Sequence, residues 1–267
     1  MKTASFRIST VLLLSAFLPS VGLQRAEAGV NVWTTTGPAG GTISALASDP
    51  QTPSTLYAGT DSGVFKSVDG AGSWTSTSAG LPNNQFGSCC EAVVTLAIDP
   101  QTPTTLYAGL LFNGVFKSTD GGGSWSAANT GLPAPPPAPQ TSPVNALVID
   151  PLTPATLYAG GNHPWGVFKS TDGGGSWTAV NAGLTNLNIN ALAIARQTPT
   201  TLYAGTHGSG VFKSTDGGAI WSAINTGLEG LASGVGGILI TGLAIDPFVP
   251  ATVYGATRAG VYVLKQQ

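Results

Sequence analysis

The chain has 267 residues, of which 42% are apolar and 8% are charged, and its formal net charge is −2. This apolar content argues against a disordered chain, which would carry few apolar and many charged residues. The weakly negative charge offers nothing that would neutralise a run of phosphates, so we expect no nucleic-acid partner. The 37 glycines and 19 prolines instead favour many short strands joined by turns.

The first 28 residues have the features of a signal peptide. Lys2 and Arg7 give it a basic start, residues 11–23 are mainly apolar, and Ala26 and Ala28 are small residues of the kind found before a cleavage site. A membrane anchor is the alternative, but the apolar stretch falls short of the roughly 20 residues that a membrane span requires. We therefore predict cleavage after Ala28, a secreted or periplasmic protein, and no membrane span after cleavage.

After this segment, one pattern recurs about every 50 residues, a period typical of propeller blades. Each copy contains an Ala-Leu-Ala-Ile type run, a Leu-Tyr-Ala-Gly type run and a Gly-Val-Phe-Lys-Ser type run, and the first four add a glycine-rich turn before a tryptophan. Short runs of β-branched and aromatic residues between turn residues predict four strands per copy. The tyrosine of the second run marks the five copies: Tyr57, Tyr107, Tyr158, Tyr203 and Tyr254.

These copies predict one all-β domain over residues 29–267, a five-bladed β-propeller with four-stranded blades. The fifth copy ends after its third strand, and the segment 30–37 matches the missing fourth strand. We therefore expect the N-terminal strand to close the last blade, which would remove the open sheet edges and give a monomer. An open arc completed by dimerisation is the alternative. The predicted blades cover about 43–82, 93–133, 144–184, 189–228, and 240–267 together with 30–37.

Two copies carry the motif Ser-x-Asp-x-Gly-x-Ser/Thr-Trp in full, and two others each depart from it once, at Ala71 and at Ile220. A short Asp side chain can accept hydrogen bonds from its own turn, glycines supply positive φ, and the tryptophan can pack against the hairpin and the next blade. A calcium loop is the competing interpretation. Each box has one carboxylate, however, where calcium takes six to eight oxygens, so we predict no metal site. The residues with this structural role are Asp69, Trp74, Asp120, Trp125, Asp172, Trp177, Asp216 and Trp221.

At this spacing, the motif resembles the Asp box, or bacterial neuraminidase repeat, of a broad family of β-propellers. That family includes sialidases, xyloglucanases, sortilin-type receptors and photosystem II assembly factors, and the resemblance covers nearly all of the chain after residue 28. Its members share blades rather than chemistry, so the resemblance implies the fold far more than a function. A sialidase-like site would use three arginines to hold the substrate carboxylate, but only Arg196 and Arg258 follow the signal peptide.

Other kinds of catalysis have little support in the sequence. A glycosidase needs two facing carboxylic acids, and the acids outside the repeated positions are Asp61, Glu91 and Glu229. The two histidines, His163 and His207, are weak evidence for a zinc site, and no serine lies in a Gly-x-Ser-x-Gly elbow. We therefore predict a non-catalytic protein without a cofactor. The alternative is a glycoside hydrolase-like enzyme that uses two of these three acids.

The copies within the chain can also be compared with one another. Segments that repeat unchanged serve every blade, so selectivity for a ligand is expected in the links that differ from copy to copy. These are the links between the second and third strands and the links between blades, which share one face of a propeller. We predict that this face recognises a glycan or protein partner. Two alternatives remain: the links are solvated, with Trp165 covering its own hairpin, or the protein is a structural extracellular repeat protein. The candidate ligand-binding residues are Asp61, Phe112, Asn113, His163, Trp165, His207 and Arg258.

Overall fold

In the computed structural model, Thr36–Gln267 forms one compact unit. The regular elements of its described residues are β-strands that pair antiparallel, which confirms the all-β prediction. These residues contain no helix that is long and apolar enough to cross a membrane. The predicted signal peptide lies outside the described residues. The structure describes residues 35–39, 41–83, 91–133, 143–162, 165–229, 237–249 and 251–265.

The first three copies of the repeat each form a separate four-stranded antiparallel sheet, whose strands follow one another in chain order. The fourth strand of each sheet has only two residues and starts one residue after the Asp-box tryptophan. The strands are β1 (Ile43–Ser48), β2 (Leu56–Thr60), β3 (Gly63–Ser67), β4 (Thr75–Ser76), β5 (Val93–Ile98), β6 (Leu106–Leu110), β7 (Val115–Ser118), β8 (Ser126–Ala127), β9 (Val144–Ile149), β10 (Leu157–Gly161), β11 (Gly166–Ser170) and β12 (Thr178–Ala179).

The last two copies are joined into one seven-stranded sheet. Their strands are β13 (Ile189–Ile194), β14 (Leu202–Gly208), β15 (Val211–Ser214), β16 (Ser222–Ala223), β17 (Ile238–Ile245), β18 (Thr252–Thr257) and β19 (Gly260–Lys265). The strand β14 runs past the end of its counterparts, and its last residues pair with β17, His207 opposite Leu239 and Gly208 opposite Ile238. In the described residues, the fifth copy has three strands, as predicted from its sequence.

The second strand of each of the first four copies is buried on both faces, whereas Tyr254 on β18 of the fifth copy is exposed. In β6, which reads Leu-Tyr-Ala-Gly-Leu, every residue is buried. Its glycine lets the next sheet approach closely, because a Cβ atom at Gly109 would lie 2.9 Å from Val144 on β9. The same Cβ atom would lie 2.5 Å from Thr95, which pairs with Gly109 in its own sheet. The short apolar runs of the sequence thus supply the core between the sheets.

The first strand of each copy packs against the first strand of the next, in the order β1, β5, β9, β13, β17. The first and the last copy, at the two ends of this series, both carry exposed apolar side chains. On β1, Leu46 is 66% exposed, whereas its counterparts Leu147 and Leu192 are 7% exposed, and on β19 Val261 is 69% exposed. The described residues therefore form an open series of sheets. Closure into a five-bladed ring stays a prediction, since most of the expected closing strand lies outside the described residues.

Each Asp box is a turn held by its own side chains. The Asp120 carboxylate accepts hydrogen bonds from the Ser118 hydroxyl at 2.7 Å, the Ser124 backbone N–H at 2.9 Å and the Ser124 hydroxyl at 2.7 Å. These bonds, of which those from Ser124 contribute most, lower the pKa of Asp120 to about 2. In the fourth box, where Ile220 replaces the hydroxyl residue of the motif, the Ile220 backbone N–H is the main cause that lowers the pKa of Asp216.

Candidate functional site

The links between strands are divided between two edges of each sheet. At one edge, the start of the first strand pairs with the end of the second, as Ile43 does with Thr60 and Val93 with Leu110. This edge carries the links between second and third strands and the links that enter each blade, and we call it the loop edge. The opposite edge carries the Asp boxes, and we call it the Asp-box edge.

The Asp-box edge is taken up by contacts between neighbouring sheets. The Tyr57 hydroxyl and the Lys66 ammonium group both donate to the Gly121 carbonyl in the next Asp box, at 3.1 and 3.0 Å. Lys66 also lies 5.3 Å from the centre of the Tyr57 ring, within range of a cation–π contact. The following junctions repeat this arrangement, which indicates that the edge holds the sheets together. The equivalent donors are Tyr107 and Lys117 to Gly173, and Tyr158 and Lys169 to Gly217.

The loop edge carries a feature that the sequence pattern did not reveal, a β-bulge near the start of each first strand. The register of every first strand shifts by one residue there. Bulges re-aim a side chain and are frequent beside functional sites. The bulged residues vary among the copies, with asparagine in both the third and the fourth, although their neighbours repeat, and this contrast is the signal by which they could have been found. They are Ser44, Val94, Asn145, Asn190 and Thr241.

In the third and fourth copies the bulged residue is an asparagine that bonds to the next sheet. Asn145 Nδ2 donates to the Ile189 carbonyl and to Asn162 Oδ1, both at 2.8 Å. Asn190 Nδ2 donates to the Ile240 carbonyl at 2.9 Å. Within the described residues, no donor reaches the Oδ1 atom of either bulged asparagine, and neither atom is buried. The two carbonyl groups are therefore fixed acceptors that solvent can reach.

A second polar group lies next to Asn190 on the same edge. Asn186 Nδ2 donates to the His207 carbonyl at 3.1 Å and to the Ser209 hydroxyl at 3.3 Å, and Asn186 Oδ1 accepts the Asn188 backbone N–H at 2.9 Å. The His207 backbone N–H in turn donates to the Asn188 carbonyl. These bonds hold the exposed His207 on the loop edge, where the sequence predicted it.

Phe112 and Asn113 are held by the acid Glu91. The Glu91 side chain is fully buried, and it accepts the backbone N–H groups of both residues and the side-chain amide of Asn113. Burial raises the pKa of Glu91, against the opposing effect of these hydrogen bonds. The buried Glu91 carboxylate therefore holds in place the link between β6 and β7, which contains Phe112 and Asn113. It does not face solvent, as a catalytic acid would.

Trp165 does not belong to an exposed rim. It is 2% exposed and makes an edge-to-face contact with Phe168, with ring centres 6.0 Å apart. Its indole fills the space beside Gly161, where a Cβ atom would lie 3.0 Å from the ring. The equivalent position in the second copy is Leu110. The change from leucine to Gly161 was therefore the feature of the sequence that could have predicted the burial of Trp165. The neighbouring candidate His163 lies outside the described residues.

The remaining candidates lie in turns. Asp61 and Arg258 are exposed in the links that follow β2 and β18, and the Asp61 carboxylate accepts the Thr42 N–H at 3.3 Å. The Glu229 carboxylate accepts the Gly227 N–H at 2.6 Å. Each of the three candidate acids thus accepts a hydrogen bond from a backbone N–H group of its own or an adjacent loop-edge link. The described residues hold no group of three His, Cys, Asp or Glu side chains that would bind a metal ion.

Antiparallel sheets packed in series through their first strands, with repeated turns on one edge and varied links on the other, define a protein of the β-propeller class. No protein-family model matches the sequence, and no curated protein sequence matches it. Solved structures do match it, and they support the propeller fold.

The GH74 enzyme of Niastella koreensis is 22% identical with a TM-score of 0.61, over 82% of this chain and 35% of the enzyme. The GH74 xyloglucanase of Xanthomonas campestris is 19% identical with a TM-score of 0.58, over 82% and 36%. YCF48 from Cyanidioschyzon merolae is 14% identical with a TM-score of 0.55, over 86% and 68%. The chain spans about a third of the two enzymes. At these identities the likeness shows the fold alone.

Proposed function

We propose that this protein is an exported binding protein of the Asp-box family, which recognises a glycan or protein partner through the loop edge. One observation carries the proposal: repeated residues occupy the Asp-box edge with contacts between sheets, whereas the loop edge presents side chains that differ from blade to blade. In a closed five-bladed ring, the bulged residues would surround one opening. Export is tested separately, by sequencing the N-terminus of the protein recovered outside the cytoplasm, where Gly29 is the expected first residue.

The chemistry of the loop edge suits a partner rich in hydrogen-bond donors. The Oδ1 atoms of Asn145 and Asn190 are acceptors whose amide groups are already fixed by bonds to the next sheet. Fixed acceptors lose little conformational entropy when a ligand binds. Sugar hydroxyl groups and peptide N–H groups are donors of the required kind. The exposed His207 and Arg258 add donors to the same edge.

Glycan-array binding followed by calorimetry tests this proposal with Asn145→Ala. We expect at least about a tenfold loss of affinity, which corresponds to one hydrogen bond of about 1.4 kcal/mol. Gln101→Ala is the matched control, because Gln101 Nε2 also makes two bonds to the next sheet, to the Pro151 and Leu152 carbonyls, but on the Asp-box edge. The melting temperatures of both variants report any general loss of structure.

The proposal is wrong if folded Asn145→Ala binds like the wild type, or if Gln101→Ala loses as much affinity. If no glycan binds, the same pair of variants is applied to protein partners. The glycosidase alternative predicts a different result. It requires hydrolysis of a glycan that is abolished by Asp61→Asn, Glu91→Gln or Glu229→Gln while the fold is retained.

A further inference from the structure

On the Asp-box edge, the link between the first and second strands is held by an aspartate in four of the five copies. In the second copy, the Asp99 carboxylate accepts the backbone N–H groups of Gln101 at 2.8 Å and Thr102 at 3.1 Å. The first, third and fifth copies make the same pair of bonds at 2.8 to 3.0 Å. A carboxylate oxygen that bonds to the backbone two and three residues on is a common way to hold such a turn.

The fourth copy lacks this carboxylate but keeps the turn. Its aspartate position is Ala195, and its proline position is Arg196. The Ala195 N–H donates to the Thr201 carbonyl at 3.0 Å and the Thr201 N–H to the Thr198 carbonyl at 2.8 Å, as their counterparts do. The backbone N–H groups of Gln197 and Thr198 have no acceptor in the part of the chain that the structure describes. This link therefore presents two N–H donors where every other copy has a carboxylate.

A guanidinium group accompanies these two donors. The Arg196 guanidinium group is exposed and makes no hydrogen bond or ion pair with any described residue. Ala-Arg in place of Asp-Pro replaces one negative charge with one positive charge. Gln197 and Thr198 are exposed as well, so a ligand can approach from their side, whereas Ala195 is only 2% exposed. Because a guanidinium group binds a carboxylate strongly, the charge and the donors of this link match an anion.

The link also lacks the tie that joins its counterparts to the next sheet. Gln51 Nε2 donates to the Pro100 and Gln101 carbonyls at 3.2 and 3.1 Å, and Gln101 Nε2 makes the equivalent pair of bonds at the second junction. Gln197 holds the same position, but its side chain makes no hydrogen bond with any described residue. Within the described residues, the links of the fourth and fifth copies are therefore not tied together by this side chain.

A cleft of about 420 Å³ lies beside this link, between the fourth and fifth copies. Its volume is within the roughly 300–1,000 Å³ range of small-molecule sites. Arg196 belongs to one wall and Asp246 to the other. Asp246 already accepts two N–H groups of its own link, and its charge would repel a second anionic group of a ligand. The cleft therefore favours a ligand with one negative charge and an apolar body. Its larger apolar side chains are Leu192, Ile194, Leu243 and Ile245.

We propose that the link 195–198 and this cleft bind a carboxylate with an apolar body, and that the carboxylate of the ligand replaces the missing aspartate. One of its oxygens accepts the two N–H groups of the link, as Asp99 Oδ1 does in the second copy, and Arg196 binds the other oxygen. The apolar body lies against Leu192 and Leu243. A small branched-chain acid and the C-terminus of a peptide with an apolar last residue offer the same group. This site is on the Asp-box edge and is separate from the proposed binding face on the loop edge.

Two-dimensional proton–nitrogen NMR tests the site at the level of the proposed hydrogen bonds. Isovalerate represents the small acid, N-acetyl-leucine represents the peptide C-terminus, and N-acetyl-leucine amide is the matched neutral probe. We expect at least one of the two acids, at millimolar concentration, to move the amide proton signals of Gln197 and Thr198 downfield, and the tighter-binding acid identifies the source of the carboxylate. Unmoved signals with both acids, or equal shifts with the neutral amide, would overturn the proposal.

Restoring the aspartate provides the sharpest variant. Ala195→Asp supplies the carboxylate from within the chain, as the other copies do, so we expect it to compete with the acids and weaken their binding at least about tenfold. Arg196→Gln removes the charge at an exposed position and is expected to weaken binding by a similar factor. Lys265→Gln, which removes an exposed positive charge elsewhere on the fifth copy, is the control and is expected to bind like the wild type.

The variants can also contradict the proposal. Undiminished binding in folded Ala195→Asp, or equal losses of affinity in Arg196→Gln and Lys265→Gln, would overturn it. Arg196→Gln keeps the test valid if Ala195→Asp fails to fold, because it changes only an exposed side chain. The probes contain no glycan and the NMR signals belong to the Asp-box edge, so the result is independent of the binding test on the loop edge.

Discussion

Replacing Glu91 distinguishes an acid that supports the scaffold from an acid that takes part in chemistry. Glu91→Ala leaves three N–H donors of Phe112 and Asn113 without their acceptor. An unpaired buried donor costs about 1–3 kcal/mol, and both residues are half-buried, so water can restore part of this loss. We therefore expect the free energy of unfolding to fall by about 2–4 kcal/mol, measured by urea denaturation followed by tryptophan fluorescence.

Glu91→Gln is the matched variant, and its effect should depend on pH. It keeps an oxygen acceptor for the backbone N–H groups, so we expect a loss of about 1 kcal/mol. Because burial raises the pKa of Glu91 in the folded state, the wild type has the associated stability below the unfolded-state pKa and loses it as pH rises through the folded-state pKa. The gap between wild type and Glu91→Gln should therefore be larger at about pH 4 than at about pH 7.

Two results would refute the reasoning about Glu91. The first is a Glu91→Ala variant whose free energy of unfolding lies within about 0.5 kcal/mol of the wild type, since surface changes without a structural role fall in that range. The second is a gap between wild type and Glu91→Gln that is the same at both pH values, since that would mean the carboxylate titrates alike in the folded and unfolded chains.

Two further predictions concern a turn between blades and the Asp boxes. Gly131→Ala combines a positive φ with a Cβ atom 2.2 Å from the Trp177 carbonyl oxygen, whereas Gly70→Ala has a similar φ and open space around it. We therefore expect the free energy of unfolding, measured by chemical denaturation, to fall by about 3 kcal/mol for Gly131→Ala and by about 1 kcal/mol for Gly70→Ala. Equal losses would mean that the close approach of the Trp177 carbonyl is unimportant. The pKa of Asp120 is lowered to about 2 in the folded state, so its contribution to stability is present above the unfolded-state pKa of about 3.9 and is lost as pH falls through about 2. The melting temperature of Asp120→Asn should therefore fall less steeply than that of the wild type between about pH 5 and pH 2, and parallel curves would contradict this.

The sequence predicts the strands well because their determinants are local. The period of the repeat, the turn residues and the short apolar runs place the strands without knowledge of tertiary contacts. The second run of the third copy, for example, forms β10. The tryptophan that ends the Asp box of the same copy, Trp177, marks the start of β12 to within one residue. Such positions depend on the chain next to them.

The candidate site is less predictable because its determinants lie between strands. A bulge is a property of the pairing of two strands, so reading one strand as a regular alternation misses Asn145 and Asn190. The exposure of a loop tryptophan depends on the space beside it. Gly161 removes a side chain from β10, and Trp165 moves into that space. A departure from the repeat on one strand, such as Gly161, therefore indicates how a neighbouring loop residue packs. The type of the loop residue alone does not indicate this.

Under the proposed binding role, the bulged asparagines determine which part of the loop edge is best prepared for a ligand. Asn145 bonds β9 to β13, and Asn190 bonds β13 to β17, so three first strands are tied together at this edge. The equivalent positions of the first two copies are Ser44 and Val94, and a valine side chain offers no such bond. A ligand that meets the third and fourth copies therefore encounters acceptors whose positions are already fixed, which lowers the entropic cost of binding. For this reason, loss of affinity should concentrate in substitutions between residues 145 and 209, and substitutions at Ser44 or Val94 should have smaller effects.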